Sequence, residues 1–118
     1  MRKLIVSNFV TLDGYYERKD KTFDGFFDYQ HEDYHGDDNF DYYNTERLRA
    51  ADTLILSGRT SFLGNKGYWT SVPNDPRATA IRREFAELIQ RTNKIVVSDK
   101  ISSEDLAPWN NTRIVKVA

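Results

Sequence analysis

The stretch Thr53 to Phe62, TLILSGRTSF, sets the tightest limit on how this chain folds. Leu54, Ile55 and Leu56 form a short apolar run, the composition of a strand buried on both faces in a sheet covered by helices. The run breaks at Ser57-Gly58. Gly58 lacks a Cβ, so the chain can turn sharply there and bring its backbone close to a ligand, with Arg59 and Thr60 following directly. If a helix starts at Thr60, its first N–H groups lack intrahelical partners and point outward beside a guanidinium and a hydroxyl, which makes an anion site. An ordinary turn with a solvated arginine and a threonine cap fits the same residues, since a lone glycine-basic-hydroxyl turn is a weak motif.

The rest of the chain is read around that strand. Lys3 to Val10 is β-branched and apolar and reads as a first strand, interrupted by the polar pair Ser7-Asn8. Thr11-Leu12-Asp13-Gly14 turns the chain, and Asp13 either closes an Asx turn or contacts a ligand. Tyr15 to Gly36 shows neither a period of 2 nor of 3.6 and reads as a long binding loop or lid. Within it and just beyond, His31, Asp33, His35 and Asp37 alternate. On a strand they would share one face and could ligate a metal, but a solvated acidic loop accounts for them equally well, and no metal site is expected.

Asp38 or Asp41 is placed to cap a helix running to about Ala51, with Phe40, Tyr43, Leu48 and Ala51 on its apolar stripe. Gly64 to Pro76, with two glycines and two prolines, reads as a loop anchored by Trp69, which either packs or forms a ligand wall. Asp75-Pro76 then opens the clearest helix, with Ala80, Ile81, Phe85, Leu88 and Ile89 at helical spacing and Asn93 at its end. Lys94 to Ser98 is a second buried strand, followed by the polar turn Ser98-Asp99-Lys100. Ser102 to Asn111 is a loop and Arg113 to Val117 a last strand. Strands that end in polar turns and are joined through helices suit a sheet with ligands at its carboxyl edge.

Composition narrows the function. A chain of 118 residues is one domain, 1–118, with a single core. Its 17 basic and 18 acidic residues nearly balance, so no overall field recruits nucleic acid or an anionic membrane. Charge is unevenly placed, however, with eight carboxylates and no Lys or Arg between Asp24 and Glu46. The absence of cysteine excludes disulfides and thiolate chemistry and suits a reducing cytoplasm. The N-terminal apolar run is too short for a signal segment or a membrane span.

In four places the sequence resembles the dihydrofolate reductase superfamily, in the bacterial branch similar to the reductase domain of riboflavin biosynthesis. RKLIVSNFVTLDG is similar to that branch's opening strand and turn, LILSGRTSF to its cofactor-phosphate turn, KIVVSDK to the strand that meets adenosine, and LAPWNNTRIV to the segment after it. The matches keep family order and cover most of the chain outside Tyr15 to Tyr43.

The resemblance implies a three-layer α/β/α sheet, incomplete at the C-terminus because the family pattern continues with another strand and a glycine-rich turn. It implies a cytoplasmic, NADPH-dependent oxidoreductase that transfers a hydride to a small pterin-like or aminopyrimidine-like heterocycle, with no metal. A homodimer is compatible, and so is a non-catalytic nucleotide-binding or protein-interaction module that keeps the fold. By position, Gly58, Arg59, Thr60 and Ser61 would hold cofactor phosphates, and Ser98 and Lys100 would lie near the adenosine 2′-phosphate. Val10 and Thr11 would line the nicotinamide, Asp13 would orient substrate or pass a proton, and Asn8 and Trp69 would contact substrate. Asp99 departs from the basic or neutral residue such relatives carry, and a carboxylate there repels a 2′-phosphate unless it points away.

Overall fold

The computed structural model describes residues 1–8, 13–15, 19–20, 32–34 and 36–117. They fall into two units, Met1–His35 and Gly36–Ala118. In the first unit the described residues contain a turn at Asp13-Gly14, with Gly14 at φ 88°, and a 3-10 turn at Glu32–Tyr34. Residues 3–8, expected as the start of a strand, make no strand ladder, and Leu4, Ile5 and Val6 are exposed. Val10, Thr11, His31 and His35 lie outside the described residues.

The second unit is a mixed α/β arrangement. Its elements are α1 (Asn39–Ala50), β1 (Thr53–Ser57), α2 (Arg59–Ser71), α3 (Ala80–Arg91), β2 (Asn93–Val97) and β3 (Thr112–Val115). The three strands lie in the order β1-β2-β3, all parallel, with Thr53 beside Asn93 and Lys94 beside Thr112. A parallel pair needs a crossover, and α2 and α3 supply it between β1 and β2. Residues 98–111, with only a 3-10 turn at Ser103–Asp105, connect β2 to β3.

One sheet face carries the core. Leu54, Leu56, Val96 and Ile114 meet Phe62 from α2, Leu88 and Ile89 from α3, Leu48 from α1, and Ile101 and Trp109 from the β2–β3 connection. Phe62 and Trp109, both fully buried, meet edge to face with ring centroids 5.7 Å apart. Side chains alternate along β1, so Ile55 turns to the opposite face and is 53% exposed. The expectation of a strand buried on both faces therefore fails at Ile55. Among the described residues the sheet is covered by one helical layer, and a third layer is not seen.

Two further expectations need correction. Gly64 to Pro76 is not a loop: α2 runs on to Ser71 and a 3-10 turn follows at Val72–Asn74. Burial of Phe62, Trp69 and Val72 along this segment offsets the roughly 1 kcal/mol that each helical glycine costs. Asp75 does not cap α3. Its carboxylate closes a local turn by accepting the Arg77 N–H at 2.9 Å, and the helix begins four residues beyond Pro76, where the Thr79 hydroxyl accepts the Arg82 N–H. Asn93 opens β2 instead of closing α3. At α1, Asp38 stands at the N-cap as expected and its carbonyl accepts the Tyr42 N–H at 3.0 Å, but its side chain makes no capping bond, while Asp37 accepts the Asn39 N–H at 2.8 Å. Asp41 instead pairs with Arg82 of α3 at 2.9 Å.

Candidate functional site

At the carboxyl end of β1 the chain passes through Gly58, whose φ of 76° and ψ of 148° lie where an L-residue is strained. A Cβ built there would meet nothing within 4 Å, so conformation and not crowding is what requires glycine. The Gly58 N–H donates to the Val97 carbonyl at 3.0 Å, and the Gly58 carbonyl accepts the Phe62 N–H as the first bond of α2. Because glycine stands at the N-cap, no side chain caps the helix and its first turn has no acidic residue. The N–H groups of Arg59, Thr60 and Ser61 thus sit at the positive end of a thirteen-residue helix, beside a turn exposed to solvent.

The end of β2 lies next to this turn. Ser98 is buried, donates its N–H to the Val115 carbonyl at 3.0 Å, and accepts the Lys100 N–H on its hydroxyl at 3.2 Å. Lys100 is exposed. Asp99 accepts the Val117 N–H at 2.7 Å, which draws its carboxylate toward the strand on the far side of β2 from Gly58. The Lys116 ammonium donates to the Asp99 carbonyl at 3.1 Å and to Ile101 at 2.7 Å.

Arg59 is half exposed, and one guanidinium nitrogen lies 3.5 Å from the Asp105 carboxylate. The other Asp105 oxygen accepts the Ser102 N–H at 3.0 Å and faces its hydroxyl at 3.3 Å. The Ser102 backbone bond, with Arg59 and Lys66 nearby, holds the Asp105 carboxyl below the usual carboxylate range.

No protein-family model, curated protein or solved structure matches this chain.

The sequence-predicted residues therefore divide. Gly58, Arg59, Thr60, Ser61, Ser98 and Lys100 gather on the carboxyl edge of one sheet. Trp69 does not join them. It lies nine residues beyond Thr60, roughly 14 Å along the axis of α2, and packs against Phe85 at 4.3 Å and Tyr68 at 4.8 Å between ring centroids. Asn8 and Asp13 are exposed residues of the first unit. Among the described residues no three or more His, Cys, Asp or Glu side chains are placed to hold a metal ion. No helix among them is long and apolar enough to cross a membrane.

Sequence reading passed over two residues, Asp105 and Lys94. Lys94 stands on the core face of β2 and is only 2% exposed. Its ammonium donates to the carbonyls of Gln90 at 3.2 Å and Thr92 at 2.8 Å and to the Asn111 side chain at 3.1 Å, and lies 4.8 Å above the Trp109 ring. Burial pushes its pKa down to about 8. A shallow, open depression at this amino edge is lined by Lys94, Thr53, Asn93, Asn111 and Arg113. The Lys94 donors are committed to the end of α3 and the aromatic ring, so the residue clamps the fold at the edge opposite Gly58. The one available signal was a lysine at the head of the apolar run KIVV.

Proposed function

We propose that this chain is an NADPH-dependent reductase acting on a small pterin-like or aminopyrimidine-like heterocycle, with the cofactor phosphates held at the carboxyl edge of the sheet. The observation that carries the proposal is the Gly58 turn: a positive-φ glycine delivers an uncapped, acid-free helix N-terminus to solvent with Arg59 and Thr60 beside it. A phosphate ester needs several N–H donors and a cation, and this turn offers both. Arg59, Thr60 and Ser61 hold the pyrophosphate in this reading, and Ser98 and Lys100 lie toward the 2′-phosphate. The orientation of Asp99 supports NADPH, because its carboxylate is engaged with Val117. NADPH supplies the hydride.

A second reading is a nucleotide-binding module without turnover. It is favoured by the makeup of the carboxyl edge, where the gathered groups are backbone donors, hydroxyls and cations suited to binding.

The deciding experiment is a titration with NADPH and NADH, followed by nicotinamide fluorescence and calorimetry, on wild type and Arg59→Ala. Loss of one charge-assisted phosphate contact weakens NADPH binding by about ten- to a hundredfold. If Arg59→Ala leaves affinity unchanged, the phosphate-site reading is wrong. Saturable binding with no hydride transfer to any of a panel of pterins and aminopyrimidines favours the module.

A further inference from the structure

Asp105 is fixed by contacts that do not involve Arg59. One carboxylate oxygen accepts the Ser102 N–H and hydroxyl, the Ser102 side chain in turn accepts the Asp105 N–H to complete a capping box, and the Asp105 backbone carbonyl accepts from the Lys66 ammonium, which also donates to the Ala107 carbonyl at 3.0 Å. Its side chain is 22% exposed, against 50% for Arg59. The two meet through one nitrogen and one oxygen at 3.5 Å, a loose end-on pair and not the bidentate fork that an arginine makes with a carboxylate at its best. The anion is the anchored partner and the cation the adjustable one.

We propose that Asp105 is a built-in competitor for Arg59: it holds the guanidinium while the site is empty and must yield it when a phosphate ester arrives. This rests on the phosphate reading of the Gly58 turn. The Asp105 carboxyl stays ionised at neutral pH and is anchored by Ser102, so it does not leave as the ligand enters. The guanidinium turns toward the helix N-terminus instead. A phosphate therefore binds against the loss of one ion pair and beside a fixed negative charge. The competition lowers affinity and makes release faster, a useful property where cofactor must exchange at each turnover. An exposed pair of this kind corresponds to about a two- to fivefold change in affinity.

The test measures NADPH dissociation constants at low ionic strength for wild type, Asp105→Asn, Asp105→Glu and Asp105→Asn combined with Arg59→Ala. Asparagine keeps the acceptor for Ser102 and removes the charge. If it lowers the melting temperature, Asp105→Ser, whose hydroxyl also accepts, gives the same comparison. The expected result is about two- to fivefold tighter binding in the uncharged variants, near wild-type affinity for Asp105→Glu, and a smaller gain when Arg59 is absent. Weaker or unchanged binding in Asp105→Asn, with wild type binding and Arg59→Ala impaired, overturns the competitor role and leaves the phosphate site standing. An equal gain with and without Arg59 also overturns it, since the carboxylate would then act on the ligand through space alone. If folded wild type and Asp105→Asn both fail to bind NADPH, the phosphate reading falls and the competitor falls with it.

Discussion

Replacing Lys94 with methionine tests whether a buried cation can be held without a carboxylate. Methionine keeps most of the volume and the flexible stem but has no ammonium. The Gln90 and Thr92 carbonyls do not become orphans, because the Asn111 amide nitrogen also donates to them at 3.2 and 3.0 Å. What is lost is the cation over Trp109, roughly 1–2 kcal/mol, and the donor to the Asn111 oxygen, about another 1–3 kcal/mol. What is regained at neutral pH is the cost of burying the charge. The folded pKa, about 8, lies below the ordinary 10.5, so between those values the unfolded chain binds a proton that the folded chain does not. Stability of the wild type therefore rises with pH across that window, by at most about 3 kcal/mol. Lys94→Met has no such contribution. The two effects nearly cancel at pH 7, where the variant is expected within about 2 kcal/mol of wild type, and the gap in favour of wild type widens steadily toward pH 10.5. Urea unfolding of both proteins at half-unit steps from pH 7 to 10.5 reads this directly. A gap that stays constant over the series refutes the reasoning, because it means that Lys94 keeps its proton and that its three acceptors and the ring outweigh burial.

Other perturbations bear on α2, whose N-terminus carries the proposed site. Gly64 and Gly67 lie inside α2 with room for a Cβ, and neither has a positive φ, so Gly64→Ala and Gly67→Ala are each expected to stabilise by about 0.5–1 kcal/mol in chemical denaturation. Destabilisation by either would show that something covers that helix face in solution. Gly58→Ala forces an L-residue into φ 76° and is expected to cost about 1–2 kcal/mol, with a matching fall in melting temperature, although its methyl meets no neighbour. A neutral result would mean that the turn adopts another conformation in solution.

Local chemistry made much of the second unit legible. The run Leu54 to Leu56 is short, apolar and β-branched at its centre, and Gly58 marks its end, so a strand at β1 and the start of α2 followed from the residues themselves, although β1 lies at a sheet edge with Ile55 exposed. The stripe of Ile81, Phe85, Leu88 and Ile89 made α3 plain for the same reason. Errors came where tertiary burial overrode local preference. Gly64, Gly67 and Pro73 argue for a loop, but Phe62 and Trp69 bury their rings only if the helix continues between them. Asp75-Pro76 carries a strong N-terminal signal, yet the Asp75 side chain found the nearer Arg77 N–H and the helix started later, at Thr79. Asp105 and Lys94 were passed over because part of what places them is distant in sequence, Arg59 46 residues from Asp105 and Asn111 17 residues from Lys94. No periodicity encodes such pairs. The ends of β1 and β2 and the start of α2 lie at the same edge of the sheet, as the alternation of strands and helices suggested. Trp69 belongs to the interior packing of the helices.

The Gly58 and Ser98 amides both donate across the sheet just past the ends of their strands, to Val97 and Val115. The ladder therefore runs one residue further than the strands themselves, and the two turns that face the carboxyl edge are locked to each other by folding. The backbone freedom of these turns is lost before any ligand arrives, so association there carries little additional ordering cost. Only long side chains, Arg59 and Lys100 above all, have rotamers left to fix. In the proposed phosphate site, discrimination among anions would then reside in the reach and charge of those two side chains, while the backbone would set where an anion can sit.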